Sequence, residues 1–370
     1  MLSLRKRLRS QTLGPASKMV GRPLQFFALF FLAILAPARS SAIAPAPASN
    51  GLCLACHGNP AAATKLANGE PLSLFVDPKA FARSVHGGKL ACADCHVDMA
   101  RVPHGVRQFK SRRAMSLAYY ELCKRCHFAQ YARLLDGVHY ALLAKGDDRA
   151  PTCVDCHGSH GIGRPDQPRT RISATCARCH AAVVAAYRRS VHGEALASGN
   201  PDVPVCTDCH RAHDNANPLS AAWHLSIDRL CARCHANRAL MAKYGISTQV
   251  LTTYLNDFHG MTASLYRSEK VRPAMFTATC TDCHGAHDIG RVGAPGSPAI
   301  KANLRKTCAR CHRGASANFP SAWIGHYEPS LSHAPLVYLV KLFYLIFIPF
   351  VIGGLVIQIL LHLWRAVVNR

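Results

Sequence analysis

The chain has 370 residues and a formal net charge of +24, with 18 cysteines and 21 histidines. All 18 cysteines fall into nine Cys-x-x-Cys-His motifs, which excludes a disulfide-stapled scaffold and leaves no free thiol. The 290 residues from 45 to 334 give each motif about 32, too few for an apolar core of its own.

The N-terminus carries Arg5, Lys6, Arg7, Arg9, Lys18 and Arg22 without an acid, followed by the apolar run Leu24 to Ala36. Thirteen apolar residues are too few to span a bilayer but suit the core of an export signal. Small residues at Ala36/Ala38 and Ala42/Ala44 offer cleavage sites, so residues 1–44 are expected to be a signal peptide.

The motifs then arrive in order. A first four-motif unit, 45–171, holds Cys53-Cys56-His57, Cys92-Cys95-His96, Cys123-Cys126-His127 and Cys153-Cys156-His157. A second, 172–334, holds Cys176-Cys179-His180, Cys206-Cys209-His210, Cys231-Cys234-His235 and Cys280-Cys283-His284, and adds a ninth at Cys308-Cys311-His312. Two thiols three residues apart can each bond one vinyl group of the same porphyrin, and the adjacent imidazole then reaches the iron. A redox dithiol or a zinc ribbon also uses CxxC, but neither requires histidine as the next residue. Nine repetitions therefore point to nine covalently attached haem c groups.

Laying the two halves over each other repeats a second set of histidines. His86 and His192 lie in SVHG and His259 in FHG, each with an aromatic residue (Phe81, Tyr187, Tyr254) five positions earlier. His160, His213 and His287 each lie three residues after a motif histidine, and His104, His139 and His326 complete the series. These nine are the expected second axial ligands. His287 stands too close to His284 to oppose it across one iron, so it is expected to bind a neighbouring haem. His224 is left over. His333 precedes the apolar C-terminus and is expected near the lipid interface, and His362 at its far end is expected to be interfacial.

Short helix-prone pieces such as 181–190 alternate with turns such as GIGRPDQP at 161–168. The expected fold is mainly α-helix and coil with little sheet, wrapped around a haem stack that supplies the missing apolar surface. Removing residues 1–44 takes away seven positive charges and leaves +17. Each ferric haem adds about one negative charge, so nine cancel about half of that excess. The basicity is thus assigned to propionate pairing and not to nucleic acid, with Arg107, Lys110, Arg112 and Arg113 as a candidate patch for an acidic partner.

The C-terminal segment, 335–370, contains the twenty-residue apolar run Leu342 to Leu361, long enough to span a membrane. Pro349 and Gly353-Gly354 are expected to kink it or admit a partner helix. Arg365 and Arg370 beyond it place the C-terminus in the cytoplasm and the haem-bearing part in the periplasm, on the cytoplasmic membrane.

With these motifs in place, residues 50–326 resemble the multihaem c-type cytochromes with doubled CXXCH motifs of bacterial respiratory chains. The resemblance implies closely stacked, low-potential, mostly bis-histidine haems working as an electron conduit. The C-terminal helix departs from soluble members and looks more like forms that dock on a membrane-embedded quinol-oxidising partner. Electron transfer is the expected function, from a quinol pool or b-type cytochrome subunit to a periplasmic acceptor, with no enzymatic activity. The alternative is a reductase or oxidase of a small nitrogen or sulfur compound, which needs one haem with an open position; no CxxCK variant marks such a haem. A ligand sensor is disfavoured because nine haems exceed what sensing needs.

Overall fold

The computed structural model describes residues 49–105, 107–268, 277–295, 301–323 and 325–369. The expected signal peptide and Arg370 lie outside them. Most of the described chain is helix, cut into short pieces, and the sheet among the described residues is one antiparallel pair, Ala63–Lys65 with Pro71–Ser73. Leu66 and Leu72 at this hairpin meet Phe109 in a small buried cluster, with Leu74, Met115 and Tyr119 against it. Elsewhere the buried apolar side chains are scattered along the chain, as at Val184, Val205, Ile227, Tyr254 and Leu304. A polypeptide of this kind does not gather one core, as the motif density implied.

The motifs shape their own helices. In four of them the third residue is aspartate, and its carboxylate accepts the backbone N–H just ahead of the helix: Asp94 from Ala91 (2.7 Å), Asp155 from Thr152 (2.6 Å), Asp208 from Val205 (2.7 Å) and Asp282 from Thr279 (2.7 Å). Each bond satisfies an amide that a helix start leaves open, and puts a negative charge at its positive end. One-turn helices follow at Cys92–Cys95, Cys153–His157, Cys206–His210 and Cys280–His284.

Three of the second-ligand candidates, His139, His192 and His259, stand at the start of helices of their own, Val138–Ala144, Val191–Ala197 and Phe258–Ser268. Ser190 is 1% exposed; its hydroxyl donates to the Tyr187 carbonyl and accepts the Gly193 amide, fixing the start of Val191–Ala197. The glycine after the histidine is a close-approach residue: a Cβ on Gly193 would sit 1.9 Å from the Tyr187 carbonyl oxygen, and one on Gly260 2.0 Å from that of Tyr254. The aromatic residue five positions before His192 or His259 also has a task. Tyr187 donates to the Pro204 carbonyl (2.6 Å) and Tyr254 to that of Ala278 (3.0 Å), each just upstream of a motif.

The chain ends in one helix, Pro335–Val368, continuous through Pro349. It is long and apolar enough to cross a membrane, and no side chain along its most apolar stretch is buried. Tyr338, Lys341 and Tyr344 lie at one end and Trp364 and Arg365 at the other. The residues between Lys341 and Trp364 span about 33 Å of helix, close to the thickness of a hydrocarbon core.

Candidate haem-binding sites

The structure sets each motif histidine opposite one of the nine other repeat histidines. The pairs, with ring-centre separations, are His57–His104 (6.0 Å), His96–His160 (6.1 Å), His127–His86 (6.0 Å), His157–His213 (6.2 Å) and His180–His139 (6.2 Å). The remaining four are His210–His287 (5.8 Å), His235–His192 (6.3 Å), His284–His326 (6.3 Å) and His312–His259 (6.2 Å). No motif histidine is left without such a partner, and none is shared. His287, three residues from His284, faces His210 instead.

Two imidazoles in direct contact would lie much closer than this. A metal–nitrogen bond of about 2 Å on each side, plus about 1.1 Å from each nitrogen to its ring centre, predicts about 6.2 Å across one iron. The residues therefore fit a six-coordinate haem at every pair, with two thiols beside it. Burial pushes the imidazoles of His96, His139, His157, His160, His192, His210, His213, His235, His284, His287 and His326 toward the neutral form that ligates metal. Some rings are also held from behind: His57 Nδ1 meets the Leu74 carbonyl at 2.9 Å, and Trp223 stacks on His210 at 5.1 Å. Among the described residues no group of three or more His, Cys, Asp or Glu is placed to hold a metal ion by itself.

The pairing obeys two rules. His160, His213, His287 and His326 each face the histidine of a CxDCH motif that lies two motifs before the one they follow, or, for His326, one before. His86, His139, His192 and His259 each face the CxRCH motif that comes second after them. Ligand candidates thus cross the 171/172 division drawn from the repeat, as His139–His180 and His157–His213 show. Backbone bonds stitch the two kinds of segment together: Val85 N–H donates to Ile162 (2.8 Å), Val138 to Asn215 (2.8 Å) and Val191 to Ile289 (2.9 Å).

Sequence reasoning missed one feature, and the signal for it was there. The third motif residue alternates Asp and Arg from the second motif to the ninth. In every Asp–Arg pair the arginine guanidinium donates to the aspartate backbone carbonyl: Arg125 to Asp94 (3.2 Å), Arg178 to Asp155, Arg233 to Asp208 and Arg310 to Asp282. Thiols mark the other joints. Cys53 lies beside Cys92, Cys123 beside Cys153, Cys176 beside Cys206 and Cys231 beside Cys280. Cys95 lies within electrostatic reach of Cys126, Cys156 of Cys179, Cys209 of Cys234 and Cys283 of Cys308. Each motif therefore meets the next one in sequence along the whole series.

Three of the four residues of the basic cluster have partners within the chain, and Lys110 is exposed. Arg107 pairs with Asp98 at 2.5 Å and lies over Phe109; Arg112 donates to Pro71; Arg113 pairs with Asp155 at 2.9 Å. Of the leftover histidines, His333 stacks on Tyr327 at 4.9 Å and His362 lies exposed on the C-terminal helix. His224 sits beside a motif.

Comparison with known proteins agrees with this chemistry. A family model of the doubled CXXCH motif matches residues 143–185 and 196–240, and one of cytochrome c7 and related cytochrome c matches residues 79–159. Neither the curated proteins nor the solved structures gave a match. The matched families and the repeated motifs support the class of multihaem c-type cytochromes, with several covalently attached haem c groups and a task in electron transfer. Members of these families are typically electron carriers and not catalysts.

Proposed function

We propose that this protein is a nine-haem electron wire, anchored in the cytoplasmic membrane by Pro335–Val368, with its haem-bearing part in the periplasm. Haem c, when bound, supplies one-electron redox chemistry, and two imidazoles per iron favour low potentials. The polypeptide supplies everything else. Eighteen cysteines fix the groups, eighteen histidines clamp them from both faces, and the Asp–Arg joints hold the members of each motif pair together. The carrying observation is that nine pairs of histidine rings stand 5.8–6.3 Å apart, with no motif histidine unpaired.

The joints support a single file in chain order. Its membrane end is the last motif pair, because His326, which faces His284, lies nine residues before the helix start at Pro335. The donor is then a quinol pool or membrane redox subunit near motifs eight and nine, and the periplasmic acceptor meets the file near His57–His104. His104 is exposed in a polar cleft with Asp98 and Arg101, which suits exchange with a soluble partner. The test is an intact-mass haem count with low-temperature EPR of the detergent-purified chain. Nine haems, all low-spin, are expected; a smaller count or a high-spin ferric signal overturns the assignment.

A further inference from the structure

The cation beside a motif aspartate follows a repeat of its own. Arg169 donates to the Val203 carbonyl (2.9 Å) and to the Asp208 carboxylate (2.9 Å). Arg113 does the same with the Ala150 carbonyl and the Asp155 carboxylate. In both cases the carbonyl belongs to the residue two positions before the helix cap of a CxDCH motif (Val205, Thr152). His224 Nε2 stands 3.0 Å from the Thr277 carbonyl and 3.5 Å from the Asp282 carboxylate, and Thr277 lies two positions before the cap Thr279. The atoms are register-equivalent. A carbonyl only accepts, so Nε2 carries the proton and the ring takes full charge when Nδ1 gains a second one.

We infer that His224 is a positioning residue for the motif Cys280-Cys283-His284, standing where a guanidinium stands at the motifs 153–157 and 206–210. The inference rests on the haem assignment proposed above. Its bridge ties the turn 277–279 to the motif carboxylate and so fixes the start of Cys280–His284. The substitution changes one property. A guanidinium keeps its charge at all accessible pH, whereas imidazole is the side chain that changes charge between about pH 5 and 8. The surrounding charged and titratable groups are Asp282 on the motif, Arg310 holding the Asp282 carbonyl, the Asp228–Arg267 pair and Tyr254. Among them only Asp282 comes within ion-pair distance of the ring. A cation there favours the added electron, so the haem at 280–284 has a reduction potential that falls as the pH rises. This is one of the two sites at the proposed membrane end, where a quinol donor releases protons with its electrons.

The experiment is a spectroelectrochemical titration of the full chain in detergent between pH 5.5 and 8, after intact mass has shown nine haems in every variant. In the native protein one component shifts to lower potential as the pH rises. His224→Arg holds that component at its acid-side value, and His224→Gln holds it at the alkaline-side value. Arg169→His gives a second component a new shift of the same sign. A native-like shift that persists in both His224 variants overturns the inference, as does Arg169→His without a new one. A haem count other than nine counts against the haem assignment and not against His224.

Discussion

Arg267 and Asp228 form the most buried ion pair among the described residues, and breaking it gives a test with a calculable size. Asp228 is 2% exposed at its side chain and Arg267 16%. One guanidinium nitrogen donates to the Asp228 carboxylate at 2.9 Å and to the Leu225 carbonyl at 2.6 Å, and the other to the Ser264 hydroxyl at 2.9 Å. The second Asp228 oxygen has no partner. Arg267→Met therefore leaves a carboxylate buried without its counter-ion, at a cost of about 3–5 kcal/mol. Even the lower figure is more than a hundredfold in the folding equilibrium, at about 1.4 kcal/mol per factor of ten. Asp228→Leu should cost less, because Arg267 is nearer solvent and keeps Leu225 and Ser264. The double variant should fall within about 1 kcal/mol of native, since an apolar pair of similar volume often replaces a buried ion pair without loss. Guanidinium denaturation followed by far-UV circular dichroism measures all three. The pair joins Ile227–His235, which carries a motif, to Phe258–Ser268, which carries His259, so the loss should also loosen His259 against His312. An Arg267→Met variant less than about 1 kcal/mol below native, or a strictly additive double variant, would refute the reasoning.

Three further outcomes follow from the sites. His287→Gly should open the haem at Cys206/Cys209, so a crystal of the variant soaked in imidazole should show the added ligand opposite His210; density opposite His284 would contradict the pairing. Gly193→Ala puts a methyl where the Tyr187 carbonyl stands and should displace His192, turning about one-ninth of the low-spin EPR intensity high-spin, the share of one site in nine. A chain stopped after Ala334 should leave the membrane fraction while keeping nine low-spin haems, because His326 lies before the cut; retention in washed membranes would remove the anchor role of Pro335–Val368.

The chemistry of the sites was legible because covalent attachment writes itself into a short motif. Cys-x-x-Cys-His needs no fold to be recognised, and SVHG and CHxxH marked most of the facing histidines as a set. Their partners were not legible. His160 faces His96 across 64 residues, and His213 faces His157 across 56, distances over which spacing carries no information. The hairpin 63–73 was equally hidden, since three-residue strands are too short to show a period. The charge cluster at 107–113 did not show its local bonds: Arg107, Arg112 and Arg113 are adjacent in sequence but serve three separate acceptors within the chain. His224 had no motif around it, and only the register of Arg113 and Arg169 in space gives it meaning.

The two pairing rules have a consequence for how such a chain can evolve. Each of the first three Asp–Arg motif pairs takes one facing histidine from inside the next pair, and each of the last three lends one to the pair before, so no pair is a closed unit. A repeat array in which every element completes its neighbour needs a special end. Here the C-terminal end is closed by His326, in the segment leading to the membrane helix, and the N-terminal end by Cys53-Cys56-His57, a motif with neither Asp nor Arg whose histidine takes His104. Excising a whole internal pair would leave the pair before it facing the equivalent histidine of the following pair, so the array shortens, as it lengthens, by whole pairs. Lengthening the file by duplicating a pair would break nothing, because the copy brings both the ligand it lends and the site for the one it receives. The doubled motif is then the smallest segment that can be added, and the odd ninth is what an interleaved row of pairs requires at its open end.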